Sequence, residues 1–243
     1  MLLTVSFFPL ADGKTADELV AFEKRIINRY SDFMSEIGWH YFGIHAVSGL
    51  PPHDIGEIYL INAHSRAEAL ARDAAHEAPE VMPADIPGIY AECRAFMGPA
   101  ERRVKLWLRP VAVTPEPLEA AHSLLLTLGV RAQAETDASD RAETITLGDR
   151  NEFLADYRWQ CAATYEVEGP AEGLSQPYTH ADLYCSAAAS PAEAQGAWQA
   201  ATNTSRWKVI TAASVYQDIA EPALFWLTPL ALAPMARRPV RFE

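Results

Sequence analysis

The chain of 243 residues is 49% hydrophobic, which is ample material for a buried core without disulfide or metal staples. Its formal charge is -12, from 20 basic against 32 acidic residues, with a pI near 5.0. That balance excludes a phosphate-tracking surface, so nucleic acid is not an expected partner.

Residues 2–10 read as a first strand with no basic n-region of a signal peptide, and Leu3, Val5 and Phe7 are expected to face helices. Thr15 and Glu18 form a capping box that opens a helix carrying Leu19, Phe22, Ile26, Tyr30, Phe33, Met34 and Ile37 on one face and stopping at Gly38. Two alternating runs, 41–49 and 56–64, read as a hairpin. Ser65 and Glu68 open a second helix through about Glu77. Residues 88–97 and 104–113 read as two further strands, so the order is β-α-β-β-α-β plus one strand, a ferredoxin-like unit.

The segment VKLWLRPVAVTP (104–115) returns as ALFWLTPLALAP (223–234), with Trp107/Trp226 and Pro110/Pro229 in matching places. Likewise 39–49 matches 159–169, and 57–69 matches 182–194, where Ser190 and Glu193 repeat the second capping box behind Pro191. The chain is therefore read as α+β: tandem ferredoxin-like repeats, 1–113 and 130–234, whose antiparallel sheets pack face to face as an intrachain barrel. Residues 114–129 are expected as a linking helix with Leu118, Ala121, Leu125 and Leu128 on one face, a strand SLLLTLGV being the competitor. ETITL (143–147) is expected as the first strand of the second repeat and DRNEFLADYRW as its shortened first helix, while Tyr90 and Tyr216 should begin equivalent strands. A basic tail follows at 235–243. The longest apolar run, 223–235, contains two internal prolines and is too short to span a bilayer, so no membrane partner is expected. Cys93, Cys161 and Cys185 lack metal-type spacing and fit reduced thiols in a cytoplasmic protein.

Strand alternation is expected to turn Phe42, Ile44, Ala46, Ile58 and Leu60 toward helices, and Tyr41, His45, Val47, Glu57, Tyr59 and Ile61 toward the barrel. His45, Glu57 and Tyr59 then share a face. His45 is the expected general base or proton relay, oriented by Glu57, with Tyr59 or Tyr184 donating to a developing oxyanion. The second repeat places Tyr165, Asp182 and Tyr184 where the first has His45, Glu57 and Tyr59. The expected substrate-binding set is Tyr41, Trp107, Arg109, Tyr165, Asp182, Tyr184 and Trp226. The competing reading is a structural seam in which carboxylate and phenol satisfy each other, with the tryptophans in the core. The copies differ at His45/Tyr165 and Arg109/Thr228, where one functional pocket is expected. No compact metal spacing, nucleotide fingerprint or serine-hydrolase motif is present, so neither a metal nor a nucleotide cofactor is expected.

The phrase NAHSRAEALARDAAH (62–76) resembles the strand-to-helix stretch of antibiotic-biosynthesis monooxygenases, and the order of blocks resembles the dimeric α+β barrel superfamily in an internally duplicated form. Asn62 and His64 occupy the place where those monooxygenases often carry a tryptophan. The resemblance implies small aromatic or polyketide-like substrates, held between a sheet and its helices or inside the barrel. Members include cofactor-free oxygenases, cyclases, isomerases, haem enzymes and proteins without catalysis. The expected function is an enzyme without a nucleotide cofactor that acts on a hydrophobic substrate by proton transfer, in cyclisation, isomerisation or cofactor-free oxygenation. The alternatives are a haem-binding oxidoreductase with His180 as axial ligand, or a non-catalytic ligand-binding or assembly protein. A homodimer is compatible with either reading.

Overall fold

A computed structural model describes residues 1–49, 51–78, 81–114, 123–129, 146–174, 178–213 and 223–233. The first half runs β1 (Leu2–Phe8), α1 (Ala16–Ser35), β2 (Trp39–Ser48), β3 (Ile55–Ile61), α2 (Arg66–His76), α3 (Ile86–Arg94) and β4 (Val104–Val113). The second runs β5 (Ser123–Gly129), α4 (Leu147–Ala155), β6 (Trp159–Val167), β7 (His180–Ser186), α5 (Pro191–Thr202), α6 (Ser205–Ala213) and β8 (Ala223–Leu232). All eight strands close into one antiparallel barrel in the order β1-β3-β2-β8-β5-β7-β6-β4. Each half contributes four adjacent strands, β4-β1-β3-β2 and β8-β5-β7-β6, so the sequence repeat is a repeat of sheet. Closure removes the free edges that two separate sheets would expose.

The helix signals act as expected at three places. The Thr15 hydroxyl accepts from the Glu18 N–H, and the Glu18 carboxylate returns a bond to the Thr15 N–H. Ser65 and Ser190 each cap their helix through the N–H three residues on. Gly38 sits at φ 76° after α1, and Arg158 takes the equivalent left-handed place after α4 at φ 58°.

Three expectations fail. Residues 88–94 are the body of helix α3, not a strand, because Ile86, Ile89, Tyr90 and Cys93 recur at helical spacing and Pro87 lies in the first turn. Tyr90 is thus helical, and Tyr216 lies outside the described residues. Residues 123–129, expected in a linking helix, form strand β5, which pairs with β7 and β8 as β1 pairs with β3 and β4. Both faces of β5 are buried, so it reads as a continuous apolar run that periodicity alone does not separate from a helix. The second half therefore begins at or before Ser123, and ETITL is not its first strand: Thr146 caps α4, and Leu147 is its first residue. Residues 115–122, 143–145 and the tail 235–243 lie outside the described residues.

The barrel interior is aliphatic. Leu3, Val5 and Phe7 of β1, Ile58 and Leu60 of β3, Leu106 and Leu108 of β4, and Leu124, Leu126 and Leu128 of β5 pack there with Tyr165, Phe225 and Leu227. Leu3, Val5 and Phe7 thus face inward, opposite to the sequence expectation, as do Phe42, Ile58 and Leu60. The outer face of the first half carries Tyr41, Ile44, Tyr59, Ile61 and Trp107 under the stripe Leu19, Phe22, Ile26 and Phe33 of α1. Helices thus cover the sheet from outside on each half. Among the described residues no helix is long and apolar enough to cross a membrane.

Candidate active site

A register shift separates the expected triad. Between Tyr41 and Gly43 the pairing of β2 with β3 slips by one residue, so Tyr41 faces the helices and His45 the barrel interior. At the bulge, Gly43 has φ 123°, and a Cβ there would meet the Ala231 carbonyl oxygen at 2.1 Å, which restricts the position to glycine. Glu57 and Tyr59 lie on the helix side, so His45 does not share their face. His45 is fully buried, and among the described residues its ring nitrogens make no hydrogen bond of ordinary geometry. Burial pushes its pKa down to about 4 against a smaller upward pull from the backbone of Gly56 and Gly43. Tyr165 occupies the matching place in the second half: His45 pairs with Pro229, and Tyr165 with Pro110. Its hydroxyl, too, is buried without a partner among the described residues.

On the outer side of the first half a cleft of about 560 Å³ opens between the sheet and helices α1, α2 and α3. Its floor is a row across three strands, since Ser6 of β1 pairs with Glu57 of β3 on one side and with Lys105 of β4 on the other. All three therefore project to one face, with the smallest side chain in the middle. Tyr30 and Met34 from α1, Asp73 from α2 and Tyr90 and Cys93 from α3 complete the wall.

Glu57 lines this cleft, and a second acid, Glu23, lies beside it under the helices. Glu57 is 6% exposed and Glu23, from α1, is 2% exposed. The Tyr41 hydroxyl donates to Glu23 at 3.1 Å, while Glu57 makes no hydrogen bond among the described residues. Burial pushes the Glu57 carboxyl up to about 7, with Lys105 and Arg103 pulling it partly back. Burial pushes Glu23 up to about 8, and the neighbouring Glu57 charge adds to the rise. Around them the Tyr59 and Tyr30 hydroxyls lie 3.2 Å apart, and burial together with the Glu57 charge holds both phenols protonated. The amine of Lys105 sits 4.8 Å from the ring centre of Trp107 and 5.6 Å from that of Trp39. The indole N–H groups of both tryptophans are buried without a partner among the described residues, and Trp39 lines the cleft. Carboxylate oxygens of Glu23 and Glu57 and the Cys93 sulfur lie within 4.8 Å of one another, a donor set for a transition-metal dication, with which protons on the two acids would compete.

The second half fills the same space. Arg150 of α4 donates to Asp182 at 2.9 Å and to Tyr184 at 3.1 Å, and Tyr184 donates to Asp182 at 3.1 Å. The Tyr184 phenol and the Asp182 carboxylate hold the guanidinium well above its usual range. Trp198 packs on Tyr184, Trp159, Trp207 and Trp226, with ring centres between 4.7 and 6.5 Å apart. The floor row becomes Asp182–Thr127–Leu224. The cation of Lys105 thus gives way to an apolar residue.

Of the residues picked from sequence, the cleft gathers Glu57 and Tyr59. Tyr41 and Trp107 lie behind them, buried under the helices. Arg109 is at the surface in an ion pair with Glu166, so its difference from Thr228 does not mark the pocket. Asp182, Tyr184 and Trp226 belong to the filled second half. His180, buried at the start of β7, shares strand parity with Asp182 and Tyr184. A haem behind that sheet would need the space that Arg150, Trp198 and Trp207 occupy, so the residues there do not fit one. The sequence reading missed Glu23, Lys105, Asp73, Cys93, Arg150 and Trp198. For Glu23 a signal existed: it lies four residues after Leu19, on the buried stripe of α1. For Lys105 it lay in the repeat itself, opposite Leu224.

No protein-family model matches the sequence, and no curated protein matches it. Solved structures do match along the whole chain. Two carry the name "putative monooxygenase": one from Lactobacillus acidophilus NCFM, with TM-score 0.55 at 8% identity over 100% of this chain and 99% of that one, and one from Fusobacterium nucleatum, with TM-score 0.48 at 9% identity over 100% and 97%. A chlorite dismutase from Candidatus Nitrospira defluvii, in complex with imidazole, matches with TM-score 0.48 at 8% identity over 94% and 91%. At such identities the likeness concerns fold, and it rests on the first of these. With eight antiparallel strands closed by two ferredoxin-like halves, the chain has the dimeric α+β barrel fold, built within a single polypeptide.

Proposed function

We propose that the protein is a proton-transfer enzyme whose active site is the cleft of the first half, acting on a small, aromatic or polyketide-like carbonyl compound. The observation that carries this reading is the Glu57 carboxyl: buried, without a hydrogen-bond partner among the described residues, facing the cleft and held near neutrality. A base with a pKa near the working pH is the most effective at taking a proton from carbon and returning it. Tyr59, which burial keeps protonated, and the Lys105 ammonium can donate to the oxygen on which charge develops. The tyrosine and tryptophan walls suit a flat, hydrophobic body.

In the proposed step Glu57 accepts a proton from a carbon next to the substrate carbonyl, and the electron pair moves to the carbonyl oxygen as an enolate. Return of the proton to another carbon completes an isomerisation, and attack of the enolate on a second carbonyl in the same molecule completes a cyclisation. Reaction of the enolate with dioxygen, which leaves one oxygen on that carbon and releases the other as water, would be a cofactor-free oxygenation, in keeping with the name "putative monooxygenase" of the Lactobacillus acidophilus structure. Fold does not choose among the three. The base is thus assigned to Glu57 in place of His45, which faces the barrel interior.

The test uses 2-tetralone, a fused aromatic ketone with an acidic C–H, in D2O. The protein is expected to catalyse deuterium incorporation, and Glu57→Gln to lower the rate by on the order of 10²–10⁴. Undiminished exchange in Glu57→Gln, with the variant folded by circular dichroism, would refute the assignment.

A further inference from the structure

Lys105 stands apart from the other three lysines of the chain, Lys14, Lys24 and Lys208, because among the described residues it alone of the four lines the cleft. Its amine lies over two indole faces rather than against a carboxylate, and it has no ion-pair partner among the described residues. Ser6 separates it from Glu57 in the floor row. Neighbouring strands are about 4.8 Å apart, so the Glu57 and Lys105 backbones stand roughly 10 Å from each other. That leaves room above Ser6 for a carbonyl group to meet an amine on one side and a carboxylate on the other. The filled second half has Leu224 where Lys105 stands. A lysine that only supported the barrel would have no reason to be confined to the half that keeps its cleft.

We propose that Lys105 is a covalent, imine-forming residue, whose amine condenses with the carbonyl carbon of a ketone or aldehyde held over Ser6 opposite Glu57. The inference rests on the proton-transfer reading of the same cleft and adds how the substrate is activated. The Lys105 ammonium first gives a proton to the Glu57 carboxylate. The neutral amine adds to the carbonyl carbon, forming the C–N bond, and the carbinolamine loses its hydroxyl as water with the proton that Glu57 returns. The resulting iminium draws electrons from the adjacent C–H, so Glu57 takes that proton more readily than it would from the free ketone. Water then hydrolyses the imine and frees the amine, with no net oxidation. Burial lowers the Lys105 pKa, which raises the share of nucleophilic amine.

The experiment incubates the full chain with 2-tetralone and sodium cyanoborohydride, which reduces an iminium to a stable secondary amine, and maps the adduct by peptide mass spectrometry. The expected result is adduct at Lys105 exceeding that at each of the other three lysines by about tenfold or more, and none at position 105 in Lys105→Arg. Adduct spread evenly over the lysines, or absent at Lys105 while the same preparation exchanges deuterium into 2-tetralone, overturns the covalent role and leaves the proton-transfer reading standing. Adduct at Lys105 without deuterium exchange supports the imine and removes Glu57 as the base. Because the mapping is made on the unmodified protein, the result does not depend on the folding of the variant.

Discussion

The two halves share a plan and differ in what lies between sheet and helix. In the first, Glu57 has Tyr30 and Glu23 nearby and no ion-pair partner among the described residues, and in the second the matching carboxylate, Asp182, is locked to Arg150. The register makes the exchange explicit: Tyr30 and Arg150 each lie nine residues before the tryptophan that opens the following strand, and each bonds the tyrosine two residues after the acid. Asp73 in the first half likewise corresponds to Trp198 in the second, counted from the matching serine caps. One duplication thus yields two outcomes from the same buried acid. Paired with a guanidinium and roofed by indoles it is packing, and beside a second carboxyl facing an open cleft it is a titrating group.

The largest effect expected from breaking this contrast is on exchange activity, where Glu57→Gln lowers the 2-tetralone rate by on the order of 10²–10⁴. The next is on stability. Arg150→Met leaves Asp182 buried without its cation, and urea denaturation should record a loss of about 3–5 kcal/mol. Trp198→Ala empties the indole cluster of the second half, with an expected loss of about 3 kcal/mol and a newly open cleft that binds a hydrophobic dye.

A smaller effect sharpens the comparison through pH. Glu57 has a pKa of about 7 in the folded chain against 4.5 for an exposed carboxyl, and Glu23 about 8. Between these limits the folded state holds more protons than the unfolded one, so the contribution of each group is full below about 4.5 and is lost as pH rises through the folded pKa. Glu57→Gln removes one such slope. Urea midpoints should show this variant gaining on the parent between about pH 4.5 and pH 7 by on the order of 1–3 kcal/mol. An unchanged difference would mean that Glu57 is solvated or paired. The smallest effect is expected at His45, where His45→Leu removes a ring that makes no hydrogen bond of ordinary geometry among the described residues and should keep exchange within about twofold and stability within about 1 kcal/mol.

Much of this architecture can be read directly from the residues. The Trp-Leu-x-Pro repeat and the serine and threonine caps announce two ferredoxin-like halves and place most of the helices. What alternation does not announce is which face of a strand is which. All seven residues of β3 and of β7 are buried, because a closed barrel covered by helices shields both faces, and no polar side remains to orient the pattern. The bulge at Tyr41/Gly43 then changes the parity within β2, which separates His45 from Glu57 and Tyr59. The carboxylate-tyrosine pair was legible because it occurs in both copies. Its partners were not: Tyr30 and Glu23 come from a helix, and Arg150 from its shortened counterpart, where sequence distance hides the contact.

The central claim is that chemistry belongs to the outer cleft of the first half rather than to the barrel interior. Deuterium incorporation into 2-tetralone by the parent protein, Glu57→Gln and His45→Leu, measured side by side, tests it most directly. The account predicts that Glu57→Gln loses the activity and His45→Leu keeps it. Loss in His45→Leu with retention in Glu57→Gln would contradict it and move the site into the barrel.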